Sequence, residues 1–521
     1  MGSREIDGDG ELLELTASST GGAGAADVAL LLEGTYPMVS GGVSSWVHQI
    51  IQGLPEITFA LYFIGSSPDA YGKPKYDLPA NVVHLERHYL STALEAGAPK
   101  RFRSCPAAYE RSSQLHEYFR KPEQGPPADL IQAFFKELGG PSGLTRSNFL
   151  RSKESWDQIV SHYNQHCTDP SFVDYFWTIR SMHTPLFFLA DLARSIRPCK
   201  AFHSISTGYA GFVGAMLRHL HSRPLILTEH GIYTKERKID LFQAPWIRDT
   251  AEVFSDQLTD DIGYLRRLWI RFFEGLGRII YDAADPIVSL FEANRERQID
   301  DGASRERTHV IPNGVDVARF AALRSKRTDP PLPIVGLVGR IVRIKDIQTF
   351  IRAMRLVCSR IPSAEGWIIG PEEENPEYAE ECKDLVRQLG LENRVKFLGF
   401  RRPDELLPQI ALLCLTSISE GLPLVLLEGF ASGVPAVTTN VGSCAQLIRG
   451  IDEADQALGE AGALVSISNP QDTAAAIVRL LQDPQRWKSA QSAAIARVEK
   501  FYTQGQMLAR YRDIYRQAID S

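Results

Sequence analysis

The sequence predicts an α/β protein built from two doubly wound, mostly parallel sheets. Three observations predict it. Short Val/Ile/Leu-rich runs alternate with segments of helical periodicity, as parallel strands buried on both faces and joined by crossover helices do. That series occurs twice along the 521 residues. Between the two lies a polar, basic, proline-containing run over 321–333, with Arg324, Lys326, Arg327, Pro330 and Pro331, which reads as a linker.

The first series of strands is Val28–Leu32, Thr58–Ile64, Val82–Leu85, Ala201–Ile205, Leu225–Thr228, Ile287–Leu290 and Val310–Ile311. The second is Ile334–Val338, Gly366–Ile369, Val395–Leu398, Leu412–Leu415 and Ala436–Thr438. From about residue 90 to 195 strand signals vanish. That aromatic- and charge-rich stretch reads as a helical insertion in the first domain, with a polar loop at Lys121–Asp129. A final helix follows residue 504. The expected organisation is therefore a flexible tail over 1–26, a first domain over 27–325, a second over 326–503 and a C-terminal helix over 504–521. No internal repeat stands out.

Composition bounds the function. The chain has 57 Lys+Arg against 63 Asp+Glu, a net charge of −6, which argues against a nucleic-acid partner needing a basic footprint. With 44% apolar and 23% charged residues, wholesale disorder is excluded. No run approaches the roughly 18–20 apolar residues of a membrane span, and residues 1–26 lack a signal-peptide pattern. The expected location is the cytosol. Seven cysteines, with no Cys-x-x-Cys pair, suit reduced thiols.

Several strand ends carry chemistry. The first strand leads through Glu33-Gly34-Thr35-Tyr36-Pro37 to Gly41-Gly42 and a helix. Paired glycines there let backbone N–H groups approach an anion, and equally suit a tight turn. Leu225–Thr228 delivers Glu229-His230-Gly231 at its carboxyl end, where open α/β sheets bind ligands. His230 is either a polar contact to substrate or a histidine satisfied by the loop. Asn313-Gly314 is a turn signal that could also touch a ligand. Arg340 and Lys345 follow a strand and a glycine, a pair of cations suited to a diphosphate. The most specific signal is Glu420-Gly421-Leu422-Pro423, with Glu428 eight residues after Glu420. Its first carboxylate lies in a loop, Pro423 suits a helix first turn, and Glu428 falls on a helix otherwise rich in leucine.

Other patterns fail. His84 and His88 share an i,i+4 spacing without a zincin order. His162 and His166, with Cys167 adjacent, offer two ligands where metal sites want three or four, and read as structural or surface histidines. Asp-x-Asp occurs only at Asp7-Gly8-Asp9, in the tail, and no phosphate-binding loop of the Gly-x4-Gly-Lys-Ser/Thr type occurs.

Arg340, Lys345 and the Glu420-to-Glu428 run together resemble the nucleotide-sugar site of retaining glycosyltransferases of family 4. Glu33–Pro37, Gly41–His48, Thr228–Tyr233 and Gly370–Tyr378 resemble the cytosolic glycosyltransferases of bacterial Pel exopolysaccharide systems. The resemblance covers about residues 27–519. It implies a GT-B fold, two Rossmann-like domains facing across a cleft, with the last helix crossing back to the first domain. It implies a UDP-sugar donor, UDP-glucose first and a UDP-N-acetylhexosamine second, and no metal or cofactor.

The implied roles follow residue by residue. Gly41 and Gly42 approach phosphate or acceptor, Arg340 and Lys345 hold the diphosphate, and Glu420 contacts the sugar. Gly421, Leu422 and Pro423 bind through backbone groups, and Glu428 binds the ribose. His230 sits near the reacting centre, Asn313 belongs to the nucleotide-sugar site, and Phe400 and Arg401 flank the base. The implied partners are a growing polysaccharide acceptor and inner-membrane synthase proteins that recruit the chain. The insertion, outside the ordinary family pattern, is the expected docking element. Two other readings use the same residues, a nucleotide-sugar 2-epimerase and a non-catalytic UDP-sugar-binding subunit. The first would isomerise a UDP-sugar without acceptor, and the second would bind it without turnover.

Overall fold

The computed structural model describes residues 26–91, 106–139, 143–169, 171–244, 246–247 and 263–521. The expected tail over 1–26 lies, but for Ala26, outside the described residues. The chain divides into two compact units, one running to Val310 and including Tyr511–Ser521, the other Ile311–Arg510.

The first unit holds a seven-stranded sheet. Its strands are β1 (Val28–Glu33), β2 (Phe59–Gly65), β3 (Val82–Tyr89), β4 (Ala201–Ser204), β5 (Leu225–Glu229), β6 (Ile287–Ser289) and β7 (Thr308–Val310). Their order is β3-β2-β1-β4-β5-β6-β7, every pairing parallel. The second unit holds β8 (Ile334–Val338), β9 (Glu365–Ile369), β10 (Val395–Phe397), β11 (Leu412–Leu415), β12 (Ala436–Thr439) and β13 (Gly462–Val465). Their order is β10-β9-β8-β11-β12-β13, again parallel throughout.

Every expected apolar run overlaps a strand, although Ile311 falls beyond β7, because helices cover both sheet faces and leave runs such as Val-Ala-Leu-Leu-Leu fully buried. β13 is additional. Its sequence Gly-Ala-Leu-Val is short and begins on a glycine, which reads as a turn. The strand needs that glycine: at φ +152°, a Cβ on Gly462 would lie 1.7 Å from the Ala436 carbonyl oxygen.

Both sheets reverse strand order once, between β1 and β4 and between β8 and β11. Such switch points open a crevice at the carboxyl ends of the strands. The segment after β7 stays with the second unit, although the composition shift put the boundary near 325. Val315 N–H donates to the Tyr502 carbonyl at 2.9 Å, and Gln504 N–H donates to that of Val315 at 2.9 Å. These bonds fix Ile311–Asp316 before the basic run begins.

Between β3 and β4 the described chain is helical: Pro106–Arg120, Ala128–Glu137, Arg146–Arg151, Lys153–His166 and Phe172–Ser195. Asp129, expected in a loop, lies in the second of these. Phe119, Tyr175 and Phe187 share one core with Leu31, Tyr62 and Phe202 of the sheet, so the insertion is part of the first unit's hydrophobic interior. Among the described residues no helix is long and apolar enough to cross a membrane.

Candidate functional site

The second unit's switch point gathers the cationic and acidic residues. β8 ends at Val338 and leads into Gly339-Arg340, and a short turn then carries Lys345. β11 ends at Leu415 and leads into Thr416–Glu420. Across the gap, Lys345 Nζ donates to Glu420 Oε1 at 2.5 Å, and Ser417 Oγ donates to the same oxygen at 2.6 Å. The pair is largely shielded, with side chains 22% and 9% exposed. Backbone bonds lock the two loops: Ile418 N–H donates to the Ile344 carbonyl at 2.8 Å, and Thr416 Oγ1 donates to the Asp346 carbonyl at 2.9 Å.

Two glycines outside the motif frame these loops. Gly370, at φ +155°, packs so close that a Cβ would lie 1.9 Å from the Gly339 carbonyl oxygen. Gly442, at φ +54°, would place a Cβ 2.0 Å from the Glu420 carbonyl oxygen. Both conformations favour glycine, and both approaches exclude any side chain. Spacing gave no signal for this, since each glycine serves a loop distant in sequence.

Arg340 is exposed, and its Nη1 donates to both carboxylate oxygens of Glu374 at 2.7 Å. An exposed pair of this kind exchanges readily for another anion. The Gly421 carbonyl accepts from Ser443 N–H and Oγ at 3.0 and 2.9 Å. Leu422 is buried, and its carbonyl accepts from Asn313 Nδ2 at 3.2 Å. Asn313, expected at the ligand, is buried and anchors this loop; its Oδ1 is left without a partner. Pro423 caps the helix Leu424–Ala431 from outside, where the motif suggested its first turn. Phe400 is 76% exposed and Arg401 is exposed beside it.

Glu428 lies on that helix. Burial pushes its carboxyl up to about 7, against the pull of Arg319, with Asp404 adding to the rise. Arg319 in turn donates to Asp404 Oδ2 at 2.7 Å. The fold therefore favours the protonated acid. Its contribution to stability is complete below the ordinary 4.5 and is lost as pH rises through about 7. The thermal midpoint of the wild type should fall, relative to Glu428→Gln, between pH 5 and 7.5. A difference that stays flat over that range would contradict the raised carboxyl.

In the first unit, β5 delivers Glu229 and His230. Glu229 is fully occupied, accepting from Thr207 Oγ1 at 2.7 Å, Tyr281 O–H at 2.7 Å and Gln298 Nε2 at 2.9 Å. His230 differs. Its ring stands edge-on to Trp46 at 4.6 Å, and its Nε2 is buried without a hydrogen-bond partner, as is Trp46 Nε1. Burial holds this imidazole down to about 3, so it is neutral near pH 7. Gly41 and Gly42 are exposed at the start of helix Gly42–Gly53, with open space where a Cβ would stand. Neither is demanded by packing. The His84–His88 pair is explained locally: Glu86 between them bonds His84 Nε2 at 2.6 Å and His88 Nε2 at 2.9 Å.

This fold and this cluster define a class: residues 332–483 match the family model described as "Glycosyl transferases group 1". The chain belongs to the family described as "Domain of unknown function (DUF3492)", whose model matches residues 26–306. Among curated relatives, the D-inositol 3-phosphate glycosyltransferase of Rhodococcus jostii is 30% identical over 226 residues, 40% of this chain and 48% of that protein. The enzyme of the same name from Kineococcus radiotolerans is 30% identical over 268 residues, 47% of this chain and 61% of that one. The chain thus spans about half the length of the curated relatives it matches.

Solved structures reach further. The Anabaena protein HepE in complex with UDP and glucose covers 94% of this chain and 100% of its own, with TM-score 0.56 and 16% identity. Sucrose-phosphate synthase from Thermosynechococcus elongatus covers 94% and 98%, with TM-score 0.54 and 17% identity. These likenesses establish the fold class, two Rossmann-like parallel-sheet domains of the GT-B kind.

Proposed function

We propose that the chain is a glycosyltransferase of the group 1 type that takes a UDP-sugar, UDP-glucose first and a UDP-N-acetylhexosamine second. We further propose that it retains anomeric configuration, works without a metal at the donor site, and builds Pel exopolysaccharide in the manner of the PelF glycosyltransferases. The observation that carries the reading is the pairing of Lys345 with Glu420 across the β8/β11 switch point, inside the segment that matches the glycosyltransferase model. The HepE structure named above holds UDP and glucose, which supports the choice of donor.

The chemistry follows from charge. Departure of a nucleoside diphosphate builds negative charge on the leaving phosphate. Cations fixed in a partly shielded loop stabilise that charge without reorganising. In the resting chain Glu420 and Glu374 hold those cations. A donor would take over Lys345 and Arg340, freeing the Glu420 carboxylate for sugar hydroxyls. Glu428, on the helix behind, would accept from the ribose diol in its ionised form. His230, neutral and with Nε2 unfilled, is proposed as a polar contact to the reacting sugar or acceptor. The leaving phosphate itself would accept the acceptor's proton. Synthase proteins of the inner membrane are the proposed partners.

A thermal-shift and calorimetric screen against UDP-glucose, UDP-N-acetylglucosamine, UDP-N-acetylgalactosamine and the GDP and ADP equivalents tests the reading. A ligand at 100 times its Kd stabilises the native state by about 2.7 kcal/mol. The expected result is a rise in midpoint with UDP-sugars, abolished in Lys345→Ala. A midpoint unmoved by every nucleotide would overturn the assignment.

A further inference from the structure

The helical insertion carries a second cluster, remote in sequence from every residue assigned above. Among the described residues, the side chains of Glu117, His162 and His166 bring one ligand atom each within 4.8 Å of one another. His162 and His166 lie one turn apart on helix Lys153–His166, and Glu117 comes from helix Pro106–Arg120. Glu117 Oε1 is 3.2 Å from His162 Nδ1 and 3.1 Å from His166 Nε2.

Two features separate this cluster from an ordinary set of surface charges. His162 Nδ1 is buried, and although a Glu117 carboxylate oxygen is only 3.2 Å away, the two lack the alignment of a hydrogen bond. The nitrogen and oxygen therefore do not point at each other, as two ligands aimed at a common third atom would not. Their separation agrees with this. Bonds of about 2.0–2.1 Å to a tetrahedral zinc ion put neighbouring ligand atoms about 3.3 Å apart.

The outer contacts also suit a metal. Ser113 Oγ lies 2.9 Å from His162 Nε2, where accepting the Nε2 proton leaves Nδ1 bare. Arg120 Nη2 pairs with the other Glu117 oxygen at 3.0 Å, leaving Oε1 to face the two imidazoles. The His162 side chain is 8% exposed, His166 25% and Glu117 42%, so the cluster opens to solvent on one side. That side leaves room for a water or an external ligand in a fourth position.

We infer that Glu117, His162 and His166 form a binding site for one divalent transition-metal ion, zinc by ligand type, that ties helix Pro106–Arg120 to helix Lys153–His166. Two imidazoles and one carboxylate suit zinc and its neighbours. Magnesium, which demands oxygen ligands and several waters, is not expected to bind. The inference is independent of the sugar donor.

Tag-free full-length protein, stripped with chelator, tests it by calorimetry and thermal melting with zinc chloride alone. One equivalent should bind and raise the midpoint. Cobalt should bind with the visible absorption of a four-coordinate ion. His166→Gln and Glu117→Gln, whose side chains reach solvent, should each weaken zinc at least tenfold, while His88→Gln should leave binding unchanged. Circular dichroism of the metal-free variants checks that they remain folded. Failure of the wild type to bind zinc, or equal binding by both ligand variants, would overturn the site. Loss of binding in His88→Gln alone would move it elsewhere.

Discussion

Lys345→Ala is expected to lower turnover of a UDP-sugar donor by about 10²–10³, the range seen when one preorganised donor to a developing oxyanion is removed. The fold should survive. Glu420 keeps Ser417 Oγ at 2.6 Å, and the two loops remain tied by Ile418 N–H to Ile344 and by Thr416 Oγ1 to Asp346. The midpoint should therefore shift by only a few degrees. Lys345→Arg should recover part of the rate at most. A planar fork does not reproduce the compact ammonium that Lys345 places 2.5 Å from Glu420 Oε1. Arg340→Ala should also lose most turnover, with less effect on stability, because its partner Glu374 is half exposed. Release of UDP measured over time, with melting curves of the same preparations, checks both. Wild-type rates in both variants would refute the assignment of these cations to the diphosphate.

Asp455→Ala is expected to destabilise the second unit strongly. Arg497 is wholly buried, and its Nε donates to Asp455 Oδ1 at 2.6 Å, where both side chains are at most 1% exposed. The remaining guanidinium hydrogens go to the carbonyls of Leu447, Ile448, Asp455 and Gly459. Asp455 Oδ2 also accepts from Ile451 N–H at 3.0 Å. Removing the carboxylate leaves a buried cation without its counter-ion, at a cost of about 3–5 kcal/mol. At about 2–4 °C per kcal/mol for a unit of this size, the midpoint should fall by roughly 6–20 °C. Pairing it with Arg497→Leu should not restore stability, since four carbonyls would then lose their donor. Urea and thermal unfolding of the two variants measure this. An unfolding free energy within about 1 kcal/mol of wild type would show that the pair is not buried as described.

Much of the fold was legible in the sequence for a simple reason. A parallel strand covered on both faces must be apolar throughout, and runs such as Leu412–Leu415 and Ile334–Val338 have no other plausible place. β13 was not legible, because the glycine its close packing requires is also the commonest turn residue. The boundary was misplaced for a related reason. Composition marks where the chain turns polar, at 324–331, while the hydrogen bonds of Val315 with Tyr502 and Gln504 hold the chain before it in the second unit.

The candidate site divides in the same way. Residue type and spacing picked out Arg340, Lys345, Glu420 and Glu428, because a diphosphate and a ribose require charge and carboxylate at strand ends. Spacing could not show that Asn313 turns its amide to the Leu422 carbonyl, or that Glu229 is consumed by Thr207, Tyr281 and Gln298 while His230 keeps a free nitrogen. Nor could it supply Glu117, which lies 45 residues before His162 on another helix.

By itself the sequence determined the two-sheet α/β class, most of its strands and the charged groups at the β8 and β11 ends, since these follow from local periodicity and side-chain chemistry. Only the tertiary structure decided which of those groups meet. Lys345 and Glu420 are 75 residues apart and touch because the sheet reverses its order between β8 and β11. That reversal is set by packing across the whole unit, which no local pattern encodes.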